Sequence, residues 1–222
     1  MRHGYSAQQI RDAEAPHLTA GEPLMARAAA ALADAVREVL VGRDAARGRI
    51  LLLVGSGNNG GDALFAGASL ARDGHEVSIV ELGSRTHAEG LHAALEAGAR
   101  VVADAAAVSA DVIVDGILGT GAAATPALRG RARAVVASLL PALSGRDAAA
   151  VVAVDIPSGI DPDDGSVPDP TVLPADVTVT FGGYKTGLLR GDAVRLAGDV
   201  RLVDIGIGDD LAAMTPVVEV CE

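Results

Sequence analysis

Residues 50–62 read Ile-Leu-Leu-Leu-Val-Gly-Ser-Gly-Asn-Asn-Gly-Gly-Asp. The apolar run ends at Val54, a glycine-dense loop follows at once, and Asp62 opens a helical stretch from Ala63 to Arg72. A strand, a Gly-rich turn and a helix N-terminus in that order make a phosphate cradle. Glycines admit the anion to the backbone, and free N–H groups and the helix dipole favour negative charge. Asn58, Asn59 and Asp62 add polar side chains that a loop serving only to turn would not need. Gly55-Ser56-Gly57-Asn58-Asn59-Gly60 also satisfies G-x-G-x-x-G, and Glu81 follows at the end of the next strand, placed for a ribose hydroxyl. The plainer alternative is a tight strand-to-helix turn.

Outward from this unit, short apolar runs alternate with helical segments. Strands are predicted at 50–55, 76–82, 100–103, 111–116, 150–156, 176–181 and 199–204, and helices near 62–73, 87–98 and 129–142. Residues 151–154 are apolar at every position, as in a strand covered on both faces. The alternation predicts an α/β fold of Rossmann-like type, three-layered and doubly wound, with a mostly parallel sheet. Two extra helices precede it. Ser6 caps the first, which runs to about His17. After a break at Gly21–Pro23, Leu24, Ala28, Ala31, Leu32, Ala35, Val36 and Val39 recur at helical spacing. The Ala-rich face of that second helix either packs on the sheet or makes a dimer contact. Residues 155–175, rich in Pro, Asp and Gly, read as a long loop. The whole of 1–222 is expected to form one domain.

Composition narrows the partners. Half of the 222 residues are apolar, but aromatics are only 2% and Trp is absent, so base-stacking platforms for single-stranded nucleic acid are not expected. A net charge of -11 argues equally against a phosphate-backbone partner. The lone Cys221 rules out an internal disulfide and a Cys-based zinc site, and His87 and His92 lie five apart, off a common helix face. Residues 1–10 contain no apolar signal core, and no stretch is long and apolar enough for a membrane span. These features predict a cytoplasmic protein with no nucleic-acid or membrane partner.

Two more apolar strands end in a carboxylate: Val112-Ile113-Val114-Asp115-Gly116 and Val152-Ala153-Val154-Asp155-Ile156-Pro157-Ser158. Either Asp alone could be a strand-end turn residue. In a doubly wound sheet of order 3-2-1-4-5, however, the strands ending at Val54, Asp115 and Asp155 are neighbours at the point where strand order reverses, which is where ligands bind. Asn58, Asn59, Asp62, Asp115, Asp155 and Ser158 are then expected to line one crevice. Several carboxylates in one partly buried site repel, so one must protonate or a cation must join them. The all-oxygen donor set suits a hard cation, monovalent as readily as divalent. Lys185, after the strand at 176–181, could meet a phosphate or be a solvated loop lysine.

At these residues the chain resembles the YjeF N-terminal domain family, the NAD(P)H-hydrate epimerases. The resemblance rests on Gly57-Asn58-Asn59-Gly60-Gly61-Asp62, on Asp115-Gly116-Ile117-Leu118-Gly119-Thr120-Gly121, on Asp155-Ile156-Pro157-Ser158-Gly159-Ile160-Asp161 and on the Lys185 segment. The opening Tyr5-Ser6 to Glu14 and Leu24-Met25 are similar to the family's N-terminal helices. The resemblance implies a dimeric Rossmann-like enzyme that interconverts the R and S epimers of hydrated NADH and NADPH, with a potassium ion. By position it implies potassium ligands at Asn59, Asp115 and Ser158. It implies substrate contacts at Asn58, Asn59, Gly60, Gly61 and Asp62, at Gly119, Thr120, Gly121, Ala122, Ala123, Ala124 and Thr125, and at Asp155. Two departures stand out: Ala63 replaces a common Gly, and Ala122-Ala123-Ala124-Thr125 is plainer than the family's polar loop. Some members are fused to an ATP- or ADP-dependent dehydratase, a candidate partner here.

Hydrated NAD(P)H carries a hydroxyl on the ring carbon beside nitrogen. Inverting that hemiaminal carbon needs an acid and a base, and no redox partner. Asp155, at the end of the central strand, is the expected acid/base. Two other readings compete. An NAD(P)-dependent oxidoreductase would use the glycine fingerprint and Glu81, but no Tyr-x-x-x-Lys or His/Asp dehydrogenase pattern is present. A non-enzymatic binding module on the same fold would be marked by loss of Asn59, Asp115 or Asp155, and all three are retained.

Overall fold

The strand that opens the glycine loop is buried on both faces, and the rest of the molecule is arranged around it. The computed structural model describes residues 1–221 apart from 44, 46, 123–125, 146 and 147. The chain begins with β1 (Arg2–Tyr5), α1 (Ala7–Thr19) and α2 (Leu24–Gly42), followed by β2 (Arg49–Val54), α3 (Asn58–Arg72), β3 (Glu76–Glu81), α4 (Ala88–Glu96) and β4 (Arg100–Val101). Next come β5 (Val112–Gly116), a 3-10 turn at Thr120–Ala122, α5 (Gly130–Leu139), a 3-10 turn at Leu140–Leu143 and β6 (Ala150–Val154). The last part holds β7 (Val177–Phe181), β8 (Tyr184–Lys185), α6 (Thr186–Leu189), a 3-10 turn at Asp192–Arg195, β9 (Asp199–Val203), α7 (Gly208–Ala212) and β10 (Val218–Val220).

Seven strands form one sheet in the order β4-β3-β2-β5-β6-β7-β9, with every neighbouring pair parallel. Chain order reverses between β2 and β5, as the alternation predicts. The register sets Leu53 beside Asp115 and Asp115 beside Ala153, so the carboxyl ends of β2, β5 and β6 lie level.

Period-two alternation splits β2 between two cores. Ile50, Leu52 and Val54 pack with Leu32, Val36 and Leu40 of α2 and with Leu64 and Leu70 of α3. Leu51 and Leu53 pack on the other face with Val136 and Leu139 of α5. Each such leucine, fully buried, contributes roughly 1.5–3 kcal/mol relative to exposure. The three layers follow from this two-sided burial. α1 begins as read, with Ser6 and Gln9 forming a reciprocal capping box.

Several expectations are corrected. α3 starts at Asn58, four residues before Asp62, because Gly57 serves as N-cap and the polar loop residues form the first helical turn. β4 shrinks to two residues, and α5 ends at Leu139, where a 3-10 turn carrying Pro141 takes over. A second sheet, β10-β1-β8, is absent from the sequence reading because its strands are too short to show alternation. The Ala-rich face of α2 is spent inside the chain: Ala28, Ala29, Leu32, Ala33 and Val36 are all buried, so it offers no dimer contact. Among the described residues no helix is long and apolar enough to cross a membrane.

Candidate active site

The turn from β2 into α3 is pressed tightly against its neighbours. A Cβ on Gly60 would stand 2.3 Å from the Gly55 carbonyl oxygen, and one on Gly119 would stand 2.2 Å from Asn59 Oδ1. Only glycine allows those approaches. No side chain caps the N-terminus of α3, so its first-turn N–H groups carry no side-chain partner. A cleft of about 690 Å³ opens here, beyond the carboxyl ends of β2 and β5. Asn58, Asn59, Gly119, Thr120 and Gly121 are on its wall. A smaller depression of about 420 Å³ lies elsewhere, bordered by Arg49 and Arg100 at the amino-terminal ends of β2 and β4.

The residues expected in one crevice are divided between the cleft wall and two largely buried clusters. Gly60, Gly61 and Asp62 lie in the buried first turns of α3, and Asp115, Asp155 and Ser158 are also buried, with the Asp155 side chain 8% exposed. Hydrogen bonds at the strand ends draw the Asp115, Asp155 and Ser158 side chains inward. Ala122 belongs to the 3-10 turn after β5, whereas Ala123, Ala124 and Thr125 lie outside the described residues.

The first cluster joins the three expected cation ligands. Ser158 Oγ donates to Asp115 Oδ1 at 2.6 Å, and Ser158 N–H donates to Asp115 Oδ2 at 2.8 Å. Ser158 Oγ accepts from the Leu118 N–H at 2.8 Å. Asn59 Nδ2 reaches the Leu118 carbonyl at 3.3 Å and the Val154 carbonyl at 2.6 Å. Asp115 is 1% exposed and has no cationic side-chain partner among the described residues. Burial pushes its carboxyl up, and the bonds from Ser158 and the Ile117 N–H oppose that.

The second cluster centres on Asp155, whose side chain is 8% exposed. Its φ of 69° makes it the one non-glycine residue with a left-handed backbone among the described residues, a conformation that Asp tolerates better than most. Asp155 Oδ1 accepts from Lys185 Nζ, from the Phe181 N–H at 3.2 Å and from Thr180 Oγ1 at 3.3 Å. Oδ2 accepts nothing among the described residues. The only fully buried side-chain polar atom left without a partner there is Thr186 Oγ1, so Asp155 Oδ2 and the Asp62 carboxyl oxygens are not fully sealed from solvent. Asp62 is 5% exposed, and its pKa is raised well above the usual carboxylate range by burial, then by the charges of Asp155 and Glu14, with Lys185 opposing. Glu14, half-buried on the cleft wall, is likewise raised by burial, with Lys185 pulling the other way.

Lys185 departs from both sequence readings. It is 1% exposed, neither solvated nor turned to a phosphate, and its ammonium is spent on Asp155, the Phe181 carbonyl at 2.9 Å and Thr180 Oγ1 at 3.2 Å. The close turn Gly182–Gly183 and pairing of β8 with β1 fold it back onto the end of β7. Glu81 departs as well. It accepts from Thr86 Oγ1 and is off the cleft wall, which Leu82 and Gly83 occupy instead. That removes the ribose acid from the oxidoreductase reading. Arg11, Glu14 and Arg129, unassigned by the sequence reading, line the cleft. Arg11 Nη1 bonds the Thr120 carbonyl at 3.3 Å, so α1 supplies a cation at the cleft mouth. One turn separates Arg11 from Glu14 on α1, a helical spacing visible in the sequence, but no local motif ties either residue to the glycine loop.

A doubly wound parallel sheet with its cleft at the switch point places this chain among α/β proteins whose site is built from strand ends and one helix N-terminus. Residues 21–187 match the family described as YjeF-related protein N-terminus, and the chain belongs to that family. It is 53% identical over 223 aligned residues to an NAD(P)H-hydrate epimerase of Clavibacter sepedonicus, covering 96% of this chain and 94% of that protein. It is 43% identical to the bifunctional NAD(P)H-hydrate repair enzyme Nnr of Mycobacterium tuberculosis, covering 96% of this chain and 43% of that protein. The crystal structure of yeast ynu0 shares the fold with a TM-score of 0.72, at 20% identity over 90% of this chain and 86% of that one.

Proposed function

We propose that this chain is an NAD(P)H-hydrate epimerase, an isomerase that interconverts the R and S hydrates of NADH and NADPH. The observation that carries the reading is the near-complete two-way coverage of relatives bearing that activity in their names. The site's chemistry agrees with it. The uncapped N-terminus of α3 and the cations of Arg11 and Arg129 suit the pyrophosphate of the dinucleotide. Asn58, Asn59, Gly119, Thr120 and Gly121 form the wall against which it lies.

Asp155 is the acid/base. Lys185, Thr180 and the Phe181 N–H fix Oδ1, leaving Oδ2 to take the proton from the hemiaminal hydroxyl and return it after the carbon inverts. That is the ring-opening route, in which the C–N bond breaks with its electron pair going to the ring nitrogen and re-forms on closure; in the water route a protonated carboxyl gives its proton to the leaving hydroxyl and the resulting carboxylate takes one from the returning water. Asn59, Asp115 and Ser158 would hold a potassium ion. Three side-chain oxygen donors with one formal charge fit a monovalent hard cation, and the buried, unpaired carboxylate of Asp115 calls for a positive partner. When bound, the ion supplies positive charge to the site. A homodimer, a cytoplasmic setting and an ADP- or ATP-dependent dehydratase acting on the S epimer belong to the same proposal. The bifunctional relatives, twice this chain's span, support the last of these.

The test starts from mixed R and S NADHX and a dehydratase that consumes only the S form. Return of NADH absorbance is followed with and without this chain, in potassium and in potassium-free buffer. Faster conversion of the remaining R form, dependent on potassium, is expected. If R drains at its spontaneous rate beside folded protein, the chain is a binding module instead.

A further inference from the structure

Three carboxyl groups, from α1, α3 and the end of β6, share the surroundings of one buried ammonium. Glu14 and Asp62 feel the charge of Lys185 without bonding to it, whereas Asp155 bonds it directly. Lys185 has its three donors filled by Asp155, the Phe181 carbonyl and Thr180 Oγ1, and it does not touch the cleft. An ammonium so fixed cannot serve the substrate, and it reaches chemistry only through Asp155.

We propose that Lys185 is a positioning residue that selects Asp155, among the three neighbouring carboxyls, as the ionised one and confines its proton exchange to Oδ2. The proposal rests on the epimerase reading for its meaning, but not for its measurement. Oδ1 accepts three hydrogen bonds, including a charged one, so protonation there would break the set. Oδ2 accepts no hydrogen bond among the described residues, and Asp62, whose carboxyl feels the charge of Asp155, is driven toward its neutral form by burial. A carboxylate and a carboxylic acid within electrostatic reach of each other match an inversion that needs both a base and an acid. The charged and titratable groups facing Asp155 are Lys185 from β8, Asp62 from α3 and Glu14 from α1, with Arg11 modulating Glu14.

The direct test needs no turnover. The side-chain carboxyl carbon of Asp155 is followed by NMR against pH in the wild-type protein, with Asp155→Asn for assignment. In Lys185→Gln the midpoint should rise by at least about one pH unit, which is a tenfold change in proton affinity. Lys185→Arg should bring it back part of the way. An unchanged midpoint in folded Lys185→Gln overturns the proposal. With turnover, the acid limb of the Lys185→Gln kcat profile should move to higher pH and KM should stay within about threefold. A uniform loss at every pH would mean a purely structural role. Absence of epimerase activity in wild type would end the functional reading and leave the titration standing; an active enzyme with superimposed profiles would end only the role of Lys185.

Discussion

Asp115 and Asp155 close adjacent strands, β5 and β6, yet they are neutralised in opposite ways. Asp115 is buried with a hydroxyl and two N–H groups and no cationic side chain, whereas Asp155 has an ammonium from the same chain. A buried carboxylate without a counter-charge is costly, and one with a paired, hydrogen-bonded ammonium can stay ionised. On the proposed reading the first cluster takes an ion from outside, whereas the second has its counter-charge within the chain. The same sequence pattern, an apolar run ending in Asp, yields a carboxylate without a cationic partner in one strand and an ion-paired one in the next. The difference lies in what stands opposite: Ser158 in one case, Lys185 in the other.

The sharpest way to break this contrast is Asp155→Asn. It keeps the shape and removes the proton site, so kcat for epimerisation should fall by about 10²–10⁴-fold, the usual worth of general acid–base catalysis. Folding should be preserved by circular dichroism. At Asp115 the effect should pass through the ion. Potassium at a hundredfold excess over its Kd should stabilise the wild type by about 2.7 kcal/mol. Asp115→Asn should lose most of that gain in thermal melts with potassium against choline. A melting temperature indifferent to potassium in the wild type would remove the ion seat. Ser158→Ala leaves Asp115 Oδ1 without its 2.6 Å donor and should cost about 1–3 kcal/mol in urea unfolding.

The smallest expected effect concerns pH. Asp62 has a folded-state pKa raised above its unfolded value, chiefly by burial. Its contribution to stability is full below the unfolded value of ~3.9 and is lost as pH rises through the raised folded value. Asp62→Asn removes that dependence. Between pH 4 and pH 8, urea unfolding should show wild type losing more stability than Asp62→Asn. Parallel curves for the two proteins would mean that Asp62 is ionised at no cost.

Much of this was legible in the sequence because burial on both faces leaves a plain signature. Uninterrupted apolar runs such as 151–154 marked the central strands, and the switch point followed from alternation alone. The joining of Asn59, Asp115 and Ser158 also followed, since all three sit within a few residues of neighbouring strand ends. What escaped has a common physical reason. Lys185 meets Asp155 across thirty residues, through a short strand pairing with β1 at the far end of the chain. Arg11 reaches Thr120 across more than a hundred. Neither contact leaves a local periodicity. Asp62 was misplaced by one helical turn because a glycine N-cap gives a weaker start signal than Ser or Asp.

The left-handed backbone at Asp155 governs which substitutions can speak about chemistry at all. Asn and Gly accept φ near 69°, Ala resists it by roughly 1–2 kcal/mol, and β-branched residues resist it further. A saturation library at position 155 should therefore sort by two rulers at once: protein yield should follow the backbone, with Asn and Gly high and Val and Ile low, while turnover per folded molecule should be lost in all of them. Loss of activity in a Val or Ile variant thus reports geometry as much as proton transfer, and only the Asn variant separates the two.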